Sequence, residues 1–244
     1  MMTRFVETPT ARSMRQLAEW AILAGCVVLL SGPAGVGKTA ALAEIARRDR
    51  RAALLTMTPA QRSMRGTLVG VAAAFEWQCS RQHIWDIDDV LKSLVPGAVE
   101  AGRYLVVDEA QLLHHDVQRQ LLSYYDAFGL PIIFAGNDHA LKKTRANAAA
   151  FDQIASRIAK HLRIKGITAG DIDAFGIEFN VEGKDAYEAL RHFGAGRNCR
   201  DLMNLLEEAH RLAGTERIQL PIIREAVHCL HGPDALKHLF THAS

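Results

Sequence analysis

The sequence has 244 residues and a formal net charge of +2. That length suits one large domain or a core with a small partner domain, and so balanced a charge neither demands nor excludes a polyanionic partner, because local basic patches matter more than the total. Its four cysteines (Cys26, Cys79, Cys199, Cys229) lie far apart with no C-x-x-C pair, which argues for reduced packing residues of a cytoplasmic protein and against a disulfide framework or a cysteine metal site.

The first residues, MMTRFVETPT, lack the apolar run of a secretory leader. Thr8–Ala24 carries Met14, Leu17, Ala18, Ala21 and Ile22 at helical spacing. The longest apolar stretch, Ala21–Leu30, is too short to span a bilayer, so no membrane partner is expected. Within it, Cys26–Leu30 (CVVLL) reads as a buried strand, and Thr39–Arg48 after it as a helix ending in arginines. Ala52–Met57 is a second strand, ended by Pro59. The polar, basic connection Gln61–Gly66 leads into an apolar helix, Thr67–Phe75. Another helix, Ile87–Leu94, is expected to stop at Pro96-Gly97. Tyr104–Val107 is a third strand, Val117–Phe128 a helix and Ile132–Ala135 a fourth strand. Strands alternating with helices predict an α/β parallel sheet covered by helices on both faces. From Thr168 onward the patterns are helical throughout: Ala169–Phe179, Lys184–His192, Cys199–Ala213 and Leu220–Leu230. The expected division is a nucleotide-binding α/β domain over 1–166 and a small all-helical lid over 167–244.

Between the first strand and the next helix, residues 32–39 read GPAGVGKT and fit G-x-x-x-x-G-K-[ST]. In this pattern glycines let successive backbone N–H groups face the phosphates of a nucleoside triphosphate, and the helix N-terminus adds positive partial charge. Gly32, Pro33, Ala34, Gly35, Val36, Gly37, Lys38, Thr39 and Ala40 are therefore candidate ATP contacts. Lys38 would reach the β- and γ-phosphates, and the Thr39 hydroxyl would bind Mg²⁺. The third strand ends in Asp108-Glu109, at the edge where parallel sheets bind ligands. Asp108 would hold Mg²⁺ and Glu109 would orient and polarise the attacking water; the alternative is a solvated acidic turn. Asn137 follows the fourth strand (PIIFAGN), where an amide can sense the γ-phosphate; the alternative is an ordinary turn residue.

With the acidic end YLVVDEA, the FAGN segment, a later SRI and a helical lid, the chain resembles the AAA+ ATPases. That resemblance implies assembly as a ring or helix with ATP at subunit junctions. It maps the arginine finger, a cation supplied to a neighbour's γ-phosphate, onto Arg157 in FDQIASRIAKHLRI. The alternatives are Arg145 as the finger, or Arg157 as a surface residue on a basic helix with Lys160, His161 and Arg163. The lid sensor falls in GAGRNCRDL, on Arg200 in preference to Arg197.

A narrower resemblance rests on FVETPTARSMRQL, VVLLSGPAGVGKTAA, DEAQLL and FDQIASRIAKHLRIKGITAGDI. These are similar to DNA-transposition ATPases of the phage Mu B type. The implied function is ATP-dependent assembly as a homo-oligomer or filament on duplex DNA without sequence preference, target selection and activation of a transposase. Mu B also has an N-terminal helix-turn-helix domain. Here the ATPase core begins too early for one, so DNA binding is expected from the core itself. Arg62 and Arg65, and the cluster Lys142, Lys143 and Arg145, are the candidate phosphate contacts. A competing expectation is a nucleotide-switched scaffold that binds a protein partner without DNA.

Overall fold

The computed structural model describes residues 5–77, 84–137, 152 and 154–234. Its contacts divide the chain into two units. The first comprises Ser13–Pro33 and Lys38–Ile164, and the second the described residues of Met1–Arg12, Ala34–Gly37 and Lys165–Ser244.

The first unit is built on a five-stranded sheet in the order β2-β3-β4-β1-β5. Its strands are β1 (Val27–Ser31), β2 (Ala52–Thr56), β3 (Tyr104–Asp108), β4 (Ile132–Gly136) and β5 (Ile158–Arg163). Every neighbouring pair is parallel. The three central strands are buried at all five positions, which is why they read in sequence as unbroken apolar runs. Parallel pairing also brings their C-terminal ends to one edge: Ser31 lies beside Gly136, and Thr56 beside Asp108.

The edge strand β5 corrects the expectation of a basic helix after Arg157. Ile158–Arg163 forms a strand that is exposed over most of its length, and it pairs with β1 from Val27 to Ser31. The charged residues that suggested a helix surface are exposed positions on both faces of an edge strand. Lys160 holds its ammonium 5.1 Å from the ring centre of Trp20, and His161 Nε2 lies 2.8 Å from the Ser31 hydroxyl.

A second correction concerns the expected stop at Pro96. Helix Ile84–Glu100 runs straight through it. A proline inside a helix costs about 3 kcal/mol. Ile87, Leu91, Val95 and Ala98 recur on one face, and all four are buried in the sheet core. Each large side chain so buried contributes roughly 1.5–3 kcal/mol, so continuing the helix past the proline outweighs breaking it. The helix beginning at Met64 also starts earlier than expected, capped by Ser63, whose hydroxyl accepts the N–H of Gly66. Trp77 stacks on Phe75 with ring centres 4.7 Å apart.

The second unit holds four helices among its described C-terminal residues: Ala169–Glu178, Lys184–Gly194, Cys199–Ala213 and Leu220–His231. They bury Ile172, Phe175, Leu190, Phe193, Leu202, Leu206 and Val227 in a core of their own, joined by Val6 from the N-terminal segment. Asp171 ties that segment down. Its fully buried carboxylate accepts the N–H and hydroxyl of Thr10 at 2.9 and 2.7 Å, and those of Thr168 at 2.8 and 2.9 Å. Among the described residues no helix is long and apolar enough to cross a membrane.

Candidate nucleotide site

The phosphate-loop candidate begins where β1 ends. At Gly32 a Cβ would come within 2.7 Å of the Ile164 carbonyl oxygen and 2.9 Å of its Cβ, so the passing backbone after β5 admits no side chain there. Gly35 and Gly37 have φ of +79° and +88°, values that L side chains rarely adopt. The loop is anchored to the sheet by the Gly32 N–H, which donates to the Gly136 carbonyl at 3.3 Å.

Helix Lys38–Arg48 starts directly after the loop. Lys38 is only 8% exposed, and its ammonium donates to the Gly32 and Pro33 carbonyls at 2.8 and 2.9 Å. A buried ammonium needs strong partners, and phosphate oxygens are stronger acceptors for it than neutral carbonyls. Around it, Pro33, Ala34 and Ala40 are exposed while Val36 is buried.

Thr39 and Asp108 meet at the same sheet edge. The Thr39 hydroxyl donates to Asp108 Oδ2 at 2.6 Å, and Asp108 Oδ1 accepts the N–H of Glu109 at 2.9 Å. Asp108 is 1% exposed. A hydroxyl and a carboxylate in contact beside a phosphate loop are the oxygen donors that suit Mg²⁺, which takes one or two protein oxygens and completes its shell with phosphates and water.

Glu109 turns the chain with φ +56° and ψ +37°, a left-handed conformation. For a residue other than glycine this costs on the order of 1–2 kcal/mol. Beyond it a short 3₁₀ turn, Ala110–Leu112, carries Gln111 back over the strand ends. The Gln111 side-chain amide donates through Nε2 to Glu109 Oε2. Its Oε1 accepts the backbone N–H of Asn137 at 3.2 Å. Asn137, half-buried, directly follows β4. Lys38, Thr39, Asp108, Glu109 and Asn137 are thus brought to one edge of the sheet, and Gln111 joins the last two. Sequence reasoning passed over Gln111, for which the available signal was an amide two residues past the acidic pair.

Arg157 occupies a turn immediately before β5. Its Nε donates to both oxygens of Asp126, at 3.0 and 2.8 Å, with about two fifths of each side chain exposed. Arg157 and Asp126 line a polar cavity of about 370 Å³ with Asp116, Arg119, Gln120 and Ser123. Arg62 and Arg65 are exposed on either side of the N-cap Ser63. In the second unit, Arg200 is exposed in the first turn of helix Cys199–Ala213. Arg197 places its guanidinium 4.4 Å from the ring centre of Phe193, which engages it in packing. Lys142, Lys143 and Arg145 lie outside the described residues.

Comparison with known proteins matches residues 24–144 to an AAA domain. The chain is 25% identical over 199 residues to the Mu-like prophage FluMu DNA transposition protein B of Haemophilus influenzae, covering 79% of this chain and 68% of that protein. It is 24% identical over 231 residues to the ATP-dependent target DNA activator B of Escherichia phage Mu, covering 91% of this chain and 72% of that one. Among solved structures, the ADP form of the Aeropyrum pernix ORC2 protein superposes with a TM-score of 0.63 at 16% identity, covering 93% of this chain and 69% of that one. With the sheet order and the helices around it, these likenesses establish an α/β AAA+ fold.

Proposed function

We propose that this chain, an AAA+ ATPase similar over most of its length to the Mu-type transposition B proteins, regulates DNA transposition by assembling on duplex DNA in an ATP-dependent manner. The observation that carries the nucleotide half of this reading is the Thr39–Asp108 contact beside the buried Lys38. A buried ammonium beside a hydroxyl–carboxylate pair is the chemistry that a triphosphate and its metal call for, which supports the reading.

Each residue then has a chemical task. Lys38 exchanges the Gly32 and Pro33 carbonyls for phosphate oxygens. Thr39 and Asp108 hold Mg²⁺, which when bound neutralises charge on the phosphates. Glu109 orients the attacking water and accepts its proton. Asn137 reads the γ-phosphate from the end of β4. Arg157 serves a neighbouring copy's site, where a guanidinium offsets charge building on the γ-phosphate. Arg200 is the lid residue assigned to the nucleotide.

The DNA half is supported by the relatives' names and by the surface at Ser63. Arg62 and Arg65 flank the N-terminus of the 11-residue helix Met64–Ala74, so two cations and a helix dipole present positive potential together. Such a surface suits phosphates and carries no base code. A transposase as the partner that senses this assembly follows the same reading.

Electron microscopy with a slowly hydrolysed ATP analogue and duplex DNA tests the proposal. Rings or filaments on DNA are expected. Oligomers that form with nucleotide but never on DNA would favour a nucleotide-switched protein scaffold instead.

A further inference from the structure

Glu109 is fixed at its backbone by the left-handed turn, but a glutamate side chain keeps several rotatable bonds. What limits them is the Gln111 amide, bound at one end to Glu109 Oε2 and at the other to the N–H of Asn137. Gln111 is half-buried and sits on a three-residue turn, which needs no side chain to hold its backbone. We infer that Gln111 is a positioning residue, a bridge that holds one carboxylate oxygen of Glu109, leaves the other to the attacking water and ties both to the end of β4.

The inference rests on the water-orienting role proposed for Glu109. An amide suits the task because it donates to a carboxylate while accepting from a backbone N–H. An apolar residue would do neither, and a carboxylate could accept but not donate. Through the bridge, a displacement of Asn137 reaches Glu109 directly, so the residue that reads the γ-phosphate and the one that orients water move together. Misplacing a catalytic group by about 1 Å lowers rates on the order of 100-fold.

Two variants separate the two bonds. Gln111→Met removes both at similar size. Gln111→Glu keeps the size and the acceptor for Asn137 but loses the donor to Glu109. The measurements are ATP turnover of the whole chain at saturating MgATP and the dissociation constant for MgATP, with Glu109→Gln as the reference. The inference expects both Gln111 variants to lose about 10- to 100-fold in kcat, with nucleotide affinity within about twofold of the parent. Gln111→Glu turning over at the parent rate would overturn it. So would a loss of nucleotide affinity parallel to the loss of kcat, which marks a structural role. Should Glu109→Gln itself hydrolyse ATP normally, the reading of Glu109 falls and this inference with it. If instead Glu109→Gln is inactive while the Gln111 variants are unimpaired, only the bridge is refuted.

Discussion

The Thr39 hydroxyl lies 2.6 Å from Asp108 Oδ2, joining the first turn of the helix after the phosphate loop to the end of β3. Asp108 is almost wholly buried, so this bond satisfies a carboxylate that water barely reaches. Thr39→Val is predicted to lower stability by about 1–3 kcal/mol, the cost of an under-satisfied buried acceptor. It should also remove the Mg²⁺ dependence of ATP binding. Thermal melting with ATP, with and without Mg²⁺, checks both. A variant still stabilised more by MgATP than by ATP alone would count against Thr39 as a metal contact.

Replacing Glu109 by Gln keeps size and polarity but removes the carboxylate proposed to accept the water's proton. The variant is expected to bind ATP with unchanged affinity and hydrolyse it at least about 100-fold more slowly, leaving assembled particles to accumulate. Single-turnover hydrolysis and particle counts measure the two consequences separately.

How much of this was legible in the sequence depended on burial. β1, β3 and β4 stood out because burial on both faces made them continuous apolar runs. β5 did not, because IAKHLR exposes most of its length and takes its strand character from pairing with β1. Pro96 misled because the local cost of proline was visible while the buried face Ile87–Leu91–Val95–Ala98 outweighing it was not. In the site, the motif residues could be placed by spacing. Gln111 could not, since its two partners are brought together by the turn at Glu109 and by the β3–β4 pairing.

The Arg157–Asp126 pair is partly exposed, so it contributes about 0–1 kcal/mol and is easily given up. Arg157→Ala is predicted to keep ATP binding and folding but lose hydrolysis. Lys38→Ala should lose nucleotide affinity. If Arg157 acts on a neighbour's nucleotide, mixing Arg157→Ala with Glu109→Gln, which still binds ATP and assembles, restores part of the activity, because some junctions then pair an intact Glu109 with an intact arginine. Mixtures as inactive as their components would place Arg157 outside the shared site.

Burial pushes the Asp171 carboxyl up, but its hydrogen bonds with Thr10 and Thr168 outweigh that and hold it below its ordinary value. A depressed folded value means the contribution is complete above the unfolded carboxylate value of about 3.9. It is lost as pH falls through the lower folded one. Asp171→Asn should therefore melt below the parent near neutral pH, with the difference shrinking at strongly acid pH. Amide exchange in residues 5–12 and 168–178 should quicken in the variant. A pH-independent difference would show that charge at Asp171 is not what secures the N-terminal segment.

Duplex binding measured across a salt series with and without ATP tests whether ATP governs assembly on DNA. Binding is expected to require ATP, to weaken steeply with salt, and to have a shallower slope when Arg62 and Arg65 are replaced by Ala, by about 1 for each DNA phosphate that the variant no longer neutralises. Binding that is absent, or equally strong without ATP, would contradict that role of ATP.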